Sequence, residues 1–259
     1  MSLLWRNHLR ISLSPERLVL AAYGRGLRSI RSRSTVIGVQ PPANAVEWRG
    51  ALDALPGVLA TYRNHDVSVV LADQLVRYVL LPWNEALRTG EQWMTLARHR
   101  LAAVHGAAAG DWEVKITETA PAGPRLACAV DRVLIEELAA QFVAANVRLL
   151  SVQPFLVAAF NRIRGEIGNG SCWLVIEEPG RLTLAFIQRG VWTAIRSRRA
   201  DARWREALPE LIEREAAFLA LSEPCTRVIV CAQGAFDTEL YEDFRTQAVD
   251  YRELALAWE

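Results

Sequence analysis

The chain has 259 residues and a mass of 28.9 kDa, with 51% hydrophobic residues, 23% charged residues and a formal net charge of +1. That much apolar surface excludes wholesale disorder, and the balanced charge excludes a global field for nucleic acid or anionic lipid. At ~150 residues per domain, the length fits one large or two small domains.

His8 to Ser14 alternates loosely and predicts a strand, and Ser14-Pro15-Glu16-Arg17 carries turn residues. Arg17 to Tyr23 predicts a second strand. Gly24-Arg25-Gly26 turns the chain again before a third, Leu27 to Val39, so the segment reads as an antiparallel meander. Pro41-Pro42 breaks the chain. Leu52, Leu55, Val58, Leu59 and Tyr62 stand near helical spacing and predict a helix from Trp48 to Arg63, weakened by Pro56-Gly57. Val67 to Ala72 is a continuous apolar run of the kind found in buried strands, and Leu75 to Leu81 is another strand, ended by Pro82. Glu85 to Val104 predicts a helix with Gly106 as its stop. Trp112 to Thr119 and Arg125 to Val130 predict strands. Asp131 caps a helix to about Ala145, Val147 to Val152 is a short strand, and Pro154 opens a helix from Phe155 to Arg164.

Gly165, Gly168 and Gly170 place a loop and a boundary at 165–170, and beyond it the same grammar returns. Cys172 to Glu177, Arg181 to Gln188 and Val191 to Arg196 predict three strands, with turns at Glu178-Pro179-Gly180 and Arg189-Gly190. A helix follows from about Arg203 to Leu221, interrupted at Pro209. Then come a buried strand at Arg227 to Cys231, a helix at Phe236 to Arg245 and a last strand at Ala248 to Leu256. A meander followed by α/β elements therefore occurs twice. Such an internal duplication predicts α/β layers with mixed sheets.

Chemistry-bearing motifs are sparse. Cys128, Cys172, Cys225 and Cys231 form no C-x-x-C pair, and the expectation is buried free thiols in a reducing compartment. Glu177-Glu178 has the form of a paired-carboxylate site, but beside Pro179-Gly180 it reads better as a turn. His99 and His105 are six apart, which is not the spacing of a metal-binding helix face, and His8 and His65 sit near strand starts with no evident partner. There is no G-x-S-x-G and no G-x-x-x-x-G-K, and the 165–170 loop follows a helix instead of a strand. Arg25, Arg28, Arg31 and Arg33 lie on one meander, and Arg196, Arg198 and Arg199 on the other. Arg31, Arg33, Arg196 and Arg198 form a candidate patch for phosphate, lipid headgroups or an acidic partner, against a reading as solvated strand ends. The nine tryptophans, Trp83, Trp93 and Trp204 among them, read mostly as packing, with one or two available for a partner groove. The N-terminus has no apolar core of signal-peptide length, and no run approaches the ~18 apolar residues that would span a membrane.

The run Val67 to Tyr78, the run Val147 to Phe155 and the block Leu174 to Gly190 resemble one branch of the actin-like ATPases. That branch holds the type IV pilus platform protein PilM and the cytoplasmic domains of its type II secretion and MSHA-pilus counterparts. The resemblance implies an actin-like (ribonuclease H-like) α/β fold. It divides the chain into a first lobe at 1–165, with an inserted α+β subdomain at about 41–147, and a second lobe at 166–259. It also locates the nucleotide loops, and there the chain departs from the pattern. The Asp-x-Gly of the first phosphate hairpin falls on Ser12-Leu13-Ser14, and the expected Lys falls near Val19. In the second hairpin the Asp falls on Ile176 or Glu177 and the Gly on Glu178, followed by Pro179 and Gly180. The adenosine loop is reduced to Cys231-Ala232-Gln233-Gly234. Glycines let backbone N–H groups approach phosphate, and paired carboxylates repel it. The expectation is a non-catalytic scaffold with no cofactor, cytoplasmic and peripheral at the inner membrane. It would bind a short segment of an inner-membrane pilus or secretion component through the inserted subdomain, and contact the assembly ATPase. No nucleic acid is expected. A membrane helix beyond Glu259 is compatible with the resemblance. The alternatives are an ATP/Mg-binding protein using Ser12, Ser14 and Gly234, and a peripheral binder of anionic surfaces.

Overall fold

In a computed structural model of the chain, residues 7–24, 30–31, 34–40, 42–117, 122–221, 225–232 and 244–250 are described. Strand β1 (Asn7–Ser14) pairs antiparallel with β2 (Arg17–Gly24). The third meander strand is broken in two, β3 (Ile30–Arg31) and β4 (Thr35–Gly38), and both pair with β2. On its other edge β1 pairs in parallel with β5 (His65–Leu71), and β5 with β9 (Arg148–Pro154), giving the order β3-β2-β1-β5-β9.

The second half repeats this plan. Strand β10 (Ser171–Glu178) is antiparallel to β11 (Arg181–Gln188), which pairs with β12 (Val191–Arg199). On the other side β10 is parallel to β13 (Arg227–Ala232), which is parallel to β14 (Arg245–Asp250). The order β12-β11-β10-β13-β14 matches that of the first sheet, so the duplication read from the sequence is a duplication of topology. The tight turn at Arg189-Gly190 has positive φ at both residues (54° and 74°), the geometry whose twist matches a two-residue hairpin.

The pleat sorts the second sheet's core. Cys172, Leu174 and Ile176 of β10 face a core shared with the first sheet, whereas Trp173 and Val175 face helix α5 (Trp204–Phe218). The shared core is spanned by helix α4 (Phe155–Ile167). Its Phe155, Leu156, Ala159 and Ile163 are buried, and its Phe160 ring lies 4.5 Å from that of Trp192. Helices α1 (Arg49–Thr61) and α3 (Arg132–Ala144) pack side by side, clamped by a bidentate pair from Arg49 to Glu137 at 2.5 and 2.8 Å. Asp131 caps α3 as expected, accepting from the Val133 N–H at 2.9 Å.

A third sheet, in the order β6-β8-β7, is built from β6 (Val76–Leu81), β7 (Trp112–Thr117) and β8 (Arg125–Asp131) and is covered by helix α2 (Gly90–His105). A single 3-10 turn, Asp73–Leu75, joins β5 to β6. Within the expected insertion at 41–147, α1 and β5 belong to the first sheet's layer, and the separate sheet is confined to Val76–Asp131.

Several elements differ from the sequence reading. Helix α2 starts at Gly90 instead of Glu85, because Thr89 and Gln92 form a capping box and leave Asn84–Arg88 as turn. Helix α4 runs through Gly165 to Ile167, so the expected loop shrinks to 168–170. Helix α5 passes through Pro209 unbroken, and β12 continues to Arg199. Strand β14 begins at Arg245, and the expected helix at 236–245 otherwise lies almost wholly outside the described residues. The four cysteines are free thiols, three buried and Cys225 half-buried. Burial pushes Cys128 and Cys172 up to about 12 and Cys231 up as well, which leaves them inert. No described helix is long and apolar enough to cross a membrane.

Candidate functional site: the hairpins between the two sheets

The duplicated meanders each present a hairpin tip, and the structure shows where their polar side chains are committed. In the first, Ser12 is buried in mid-strand, its backbone paired with Val19 and Val70. Ser14 closes its own turn, the hydroxyl donating to the Arg17 carbonyl at 2.9 Å. In the second, Pro179-Gly180 forms the turn, with Gly180 at φ +71°, and Glu177 and Glu178 end the strand before it. Strand alternation sends the two carboxylates to opposite faces. Glu177 accepts from Trp204 Nε1 at 3.0 Å and from Arg205 Nη2 at 3.4 Å, both on α5.

Glu178 points the other way, into the space between the sheets, and is only 2% exposed. Its Oε1 accepts from the Asp73 backbone N–H at 3.1 Å and its Oε2 from the Gln74 N–H at 3.2 Å. Two further bonds tighten the junction. Gln74 Nε2 donates to the Pro179 carbonyl at 2.6 Å, and Arg181 Nη1 donates to the Asp73 carbonyl at 2.9 Å. Two successive N–H groups opening a helical turn make a small anion-binding concavity. Here the anion is a side chain from the other half of the chain, 105 residues from Asp73.

Asp73 itself is fully buried. Its Oδ1 accepts from the Leu156 N–H at the start of α4 at 3.0 Å and from the Tyr78 hydroxyl, while its Oδ2 has no hydrogen-bond partner. Burial pushes the carboxyl up to about 6, against the pull of the Tyr78 and Leu156 hydrogen bonds and of Arg181. Burial, then Asp73, pushes the Tyr78 phenol well above its ordinary value. One residue thus ties the 3-10 turn to α4 and to the third sheet, while Glu178 ties the same turn to the second sheet. Nothing in the motif inventory singled out Asp73. The available signal was the polar pair Asp73-Gln74 interrupting the apolar run from Val67 to Leu81.

Of the expected arginine patch, the side chains of Arg196 and Arg198 are described. Arg31 sits, as backbone, on β3 at the edge of the first sheet, opposite Tyr23, and Arg33 lies outside the described residues, as do Arg25, Arg28 and Gly234. Arg196 and Arg198 are on the edge strand of the second sheet and share Glu215 of α5, each at 3.4 Å. The histidines assemble no metal site, and no cluster suited to a metal exists among the described residues. His105 packs edge-on against Trp112 at 5.0 Å. His65, given no partner from sequence, packs edge-on against Tyr62 at 5.1 Å. On the third sheet, Trp83 is 39% exposed and stacks on buried Trp93 beside a cavity of about 540 Å³, with Arg125 4.5 Å above the Trp93 ring.

Two mixed sheets of matching order, joined through a helix and a pair of hairpins, constitute the actin-like fold, and solved structures agree. A Bacteroides thetaiotaomicron protein with an actin-like ATPase fold and unknown function superposes with a TM-score of 0.61 at 13% identity, covering 90% of this chain and 84% of that one. The cytoplasmic domain of EpsL, an inner-membrane component of the type II secretion system of Vibrio cholerae, gives 0.62 at 10% identity, covering 96% of this chain and 92% of that one. The PilM–PilN type IV pilus biogenesis complex gives 0.65 at 12% identity, covering 97% and 90%. The resemblance drawn from the sequence is therefore present in three dimensions. No protein-family description matches the sequence, and no curated protein matches it. Identities of this size speak to the fold, and function has to be argued from the site.

Proposed function

We propose that this protein is a non-catalytic adaptor of a pilus- or secretion-type assembly, working at the cytoplasmic face of an inner membrane by binding a segment of a membrane component. In this reading residues 1–165 and 166–259 are its two lobes, and the cleft between them is closed by the protein's own carboxylate. The observation that carries the proposal is Glu178, which accepts both free N–H groups of the Asp73 turn.

The residues at the hairpins do not fit a nucleoside triphosphate with magnesium. Glu178 places a carboxylate where the fold would bring phosphate, and like charges repel. Pro179 has no N–H to offer, Ser14 donates to its own turn, and Ser12 is buried in a strand. What the hairpins do supply is a fixed relation between the sheets, which suits a protein whose work is recognition. The exposed Trp83 beside its cavity gives the third sheet an amphipathic aromatic anchor for a partner segment. The similarity to the EpsL cytoplasmic domain and to the PilM–PilN complex supports this choice of setting.

Affinity capture of the tagged protein from its own cells, followed by mass spectrometry, tests the setting. The expected result is specific recovery of an inner-membrane component of such an assembly, reduced in a Trp83→Ala variant. Recovery of no envelope-assembly component would overturn the reading.

A further inference from the structure

A cleft of about 400 Å³ lies between β6, the end of α2 and the β11–β12 pair. Four arginines line it, Arg77, Arg181, Arg198 and Arg199, together with His105, and among the described residues no Asp or Glu does. Concentrated like charge in a partly buried site is normally offset by acids. Here the offset is incomplete. Arg77 hydrogen-bonds to the carbonyls of Gln74 (2.8 Å) and Val76 (3.1 Å), and Arg181 to that of Asp73 (2.9 Å). Carbonyl dipoles accept these hydrogen bonds without neutralising the charge. Burial and then Arg181 lower the Arg77 pKa, and Glu47 opposes them as the smallest influence. Arg198 shares Glu215 with Arg196 over 3.4 Å, and its buried Nε has no hydrogen-bond partner. Arg199 is exposed at the rim.

We propose that this cleft docks an acidic, extended segment of a partner protein. The proposal rests on the adaptor reading and adds to it a second contact surface, away from Trp83, with a stated chemistry. The argument is charge complementarity. Guanidinium forks pair with carboxylates in directed geometry, and the charge of Arg77, Arg181 and Arg199 is only partly offset within the fold. The four arginines come from three strands around the cleft, a spread that matches carboxylates spaced along a chain better than one compact anion. Half-buried Ile195 between them offers apolar surface to the segment's backbone and stems.

Fluorescence anisotropy with the full chain and a labelled Asp/Glu-rich decapeptide tests the proposal, alongside a neutral decapeptide, pyrophosphate and vesicles containing anionic lipid. The acidic peptide is expected to bind saturably and to weaken as salt rises. Arg199→Glu and Arg77→Gln are each expected to weaken it at least about tenfold, with circular dichroism unchanged. Absence of peptide binding, or binding unaltered in both variants, would overturn the proposal. So would tighter binding of pyrophosphate or vesicles than of peptide, which would assign the cleft to phosphate. Cellular capture repeated with Arg199→Glu separates the two readings. An envelope component still recovered while peptide binding fails refutes the cleft and leaves the adaptor standing. Loss of recovery from wild type refutes the adaptor whatever the peptide does.

Discussion

Replacing Glu178 with Ala is expected to lower the unfolding free energy by about 3–6 kcal/mol, because two hydrogen bonds to a charged acceptor are lost at about 1.5–3 kcal/mol each. The carboxylate is 2% exposed, and the N–H groups of Asp73 and Gln74 that it satisfies would be left without a partner. At about 2–4 °C per kcal/mol for a chain of this size, Tm should fall by roughly 10 °C. Glu178→Gln keeps one acceptor and should lose about half as much. Glu177→Ala is the control, since that carboxylate is partly exposed and bonds to Trp204 and Arg205 of its own half. Its loss should cost about 1 kcal/mol. Urea unfolding of the three variants measures the differences. Equal effects at 177 and 178 would mean that the bridge between the sheets contributes nothing of its own.

The second large effect concerns pH. The Asp73 carboxyl titrates near its ordinary 3.8 in the unfolded chain and at about 6 in the folded one, chiefly because it is buried. Folding therefore takes up a proton in that interval. The stability this group contributes is fully present below about pH 4 and is lost as pH rises through about 6, a change of about 3 kcal/mol at 1.36 kcal/mol per pKa unit. Glu137, held below its ordinary value by Arg49, runs the other way, so the total curve mixes opposing slopes. Asp73→Asn isolates the effect. Asn retains an acceptor for Tyr78 and Leu156 and does not titrate. The unfolding free energy of wild type minus that of the variant should fall by about 3 kcal/mol between pH 4 and pH 7 and stay flat above. A difference independent of pH would show that the buried carboxyl is ionised throughout.

The architecture was legible because it is written twice in short-range signals. Period-2 alternation, the Pro-Gly and Arg-Gly turns and the Asp131 cap each act within a few residues, and the repeat of the meander announced two mixed sheets built alike. Boundaries failed where tertiary packing outweighed propensity. Gly165 and Pro209 stay helical because Ile163 and Ile167 on α4, and Leu208 and Ile212 on α5, are buried on both sides of each breaker. At the site, the sequence marked Glu178 as a misfit for phosphate but did not reveal its partner. The contact to Asp73 spans 105 residues, and no local pattern encodes a bond of that range. The cleft between the third sheet and the β11–β12 pair was hidden for the same reason. It is lined by Arg77, Arg181, Arg198 and Arg199, which come from separate elements.

The central claim, that a side chain from one half has taken over the ground a triphosphate would need, is tested most directly by titrating the full chain with Mg-ATP in a calorimeter. The account predicts no saturable heat. Saturable binding in the micromolar range, abolished by Ser14→Glu, would contradict it.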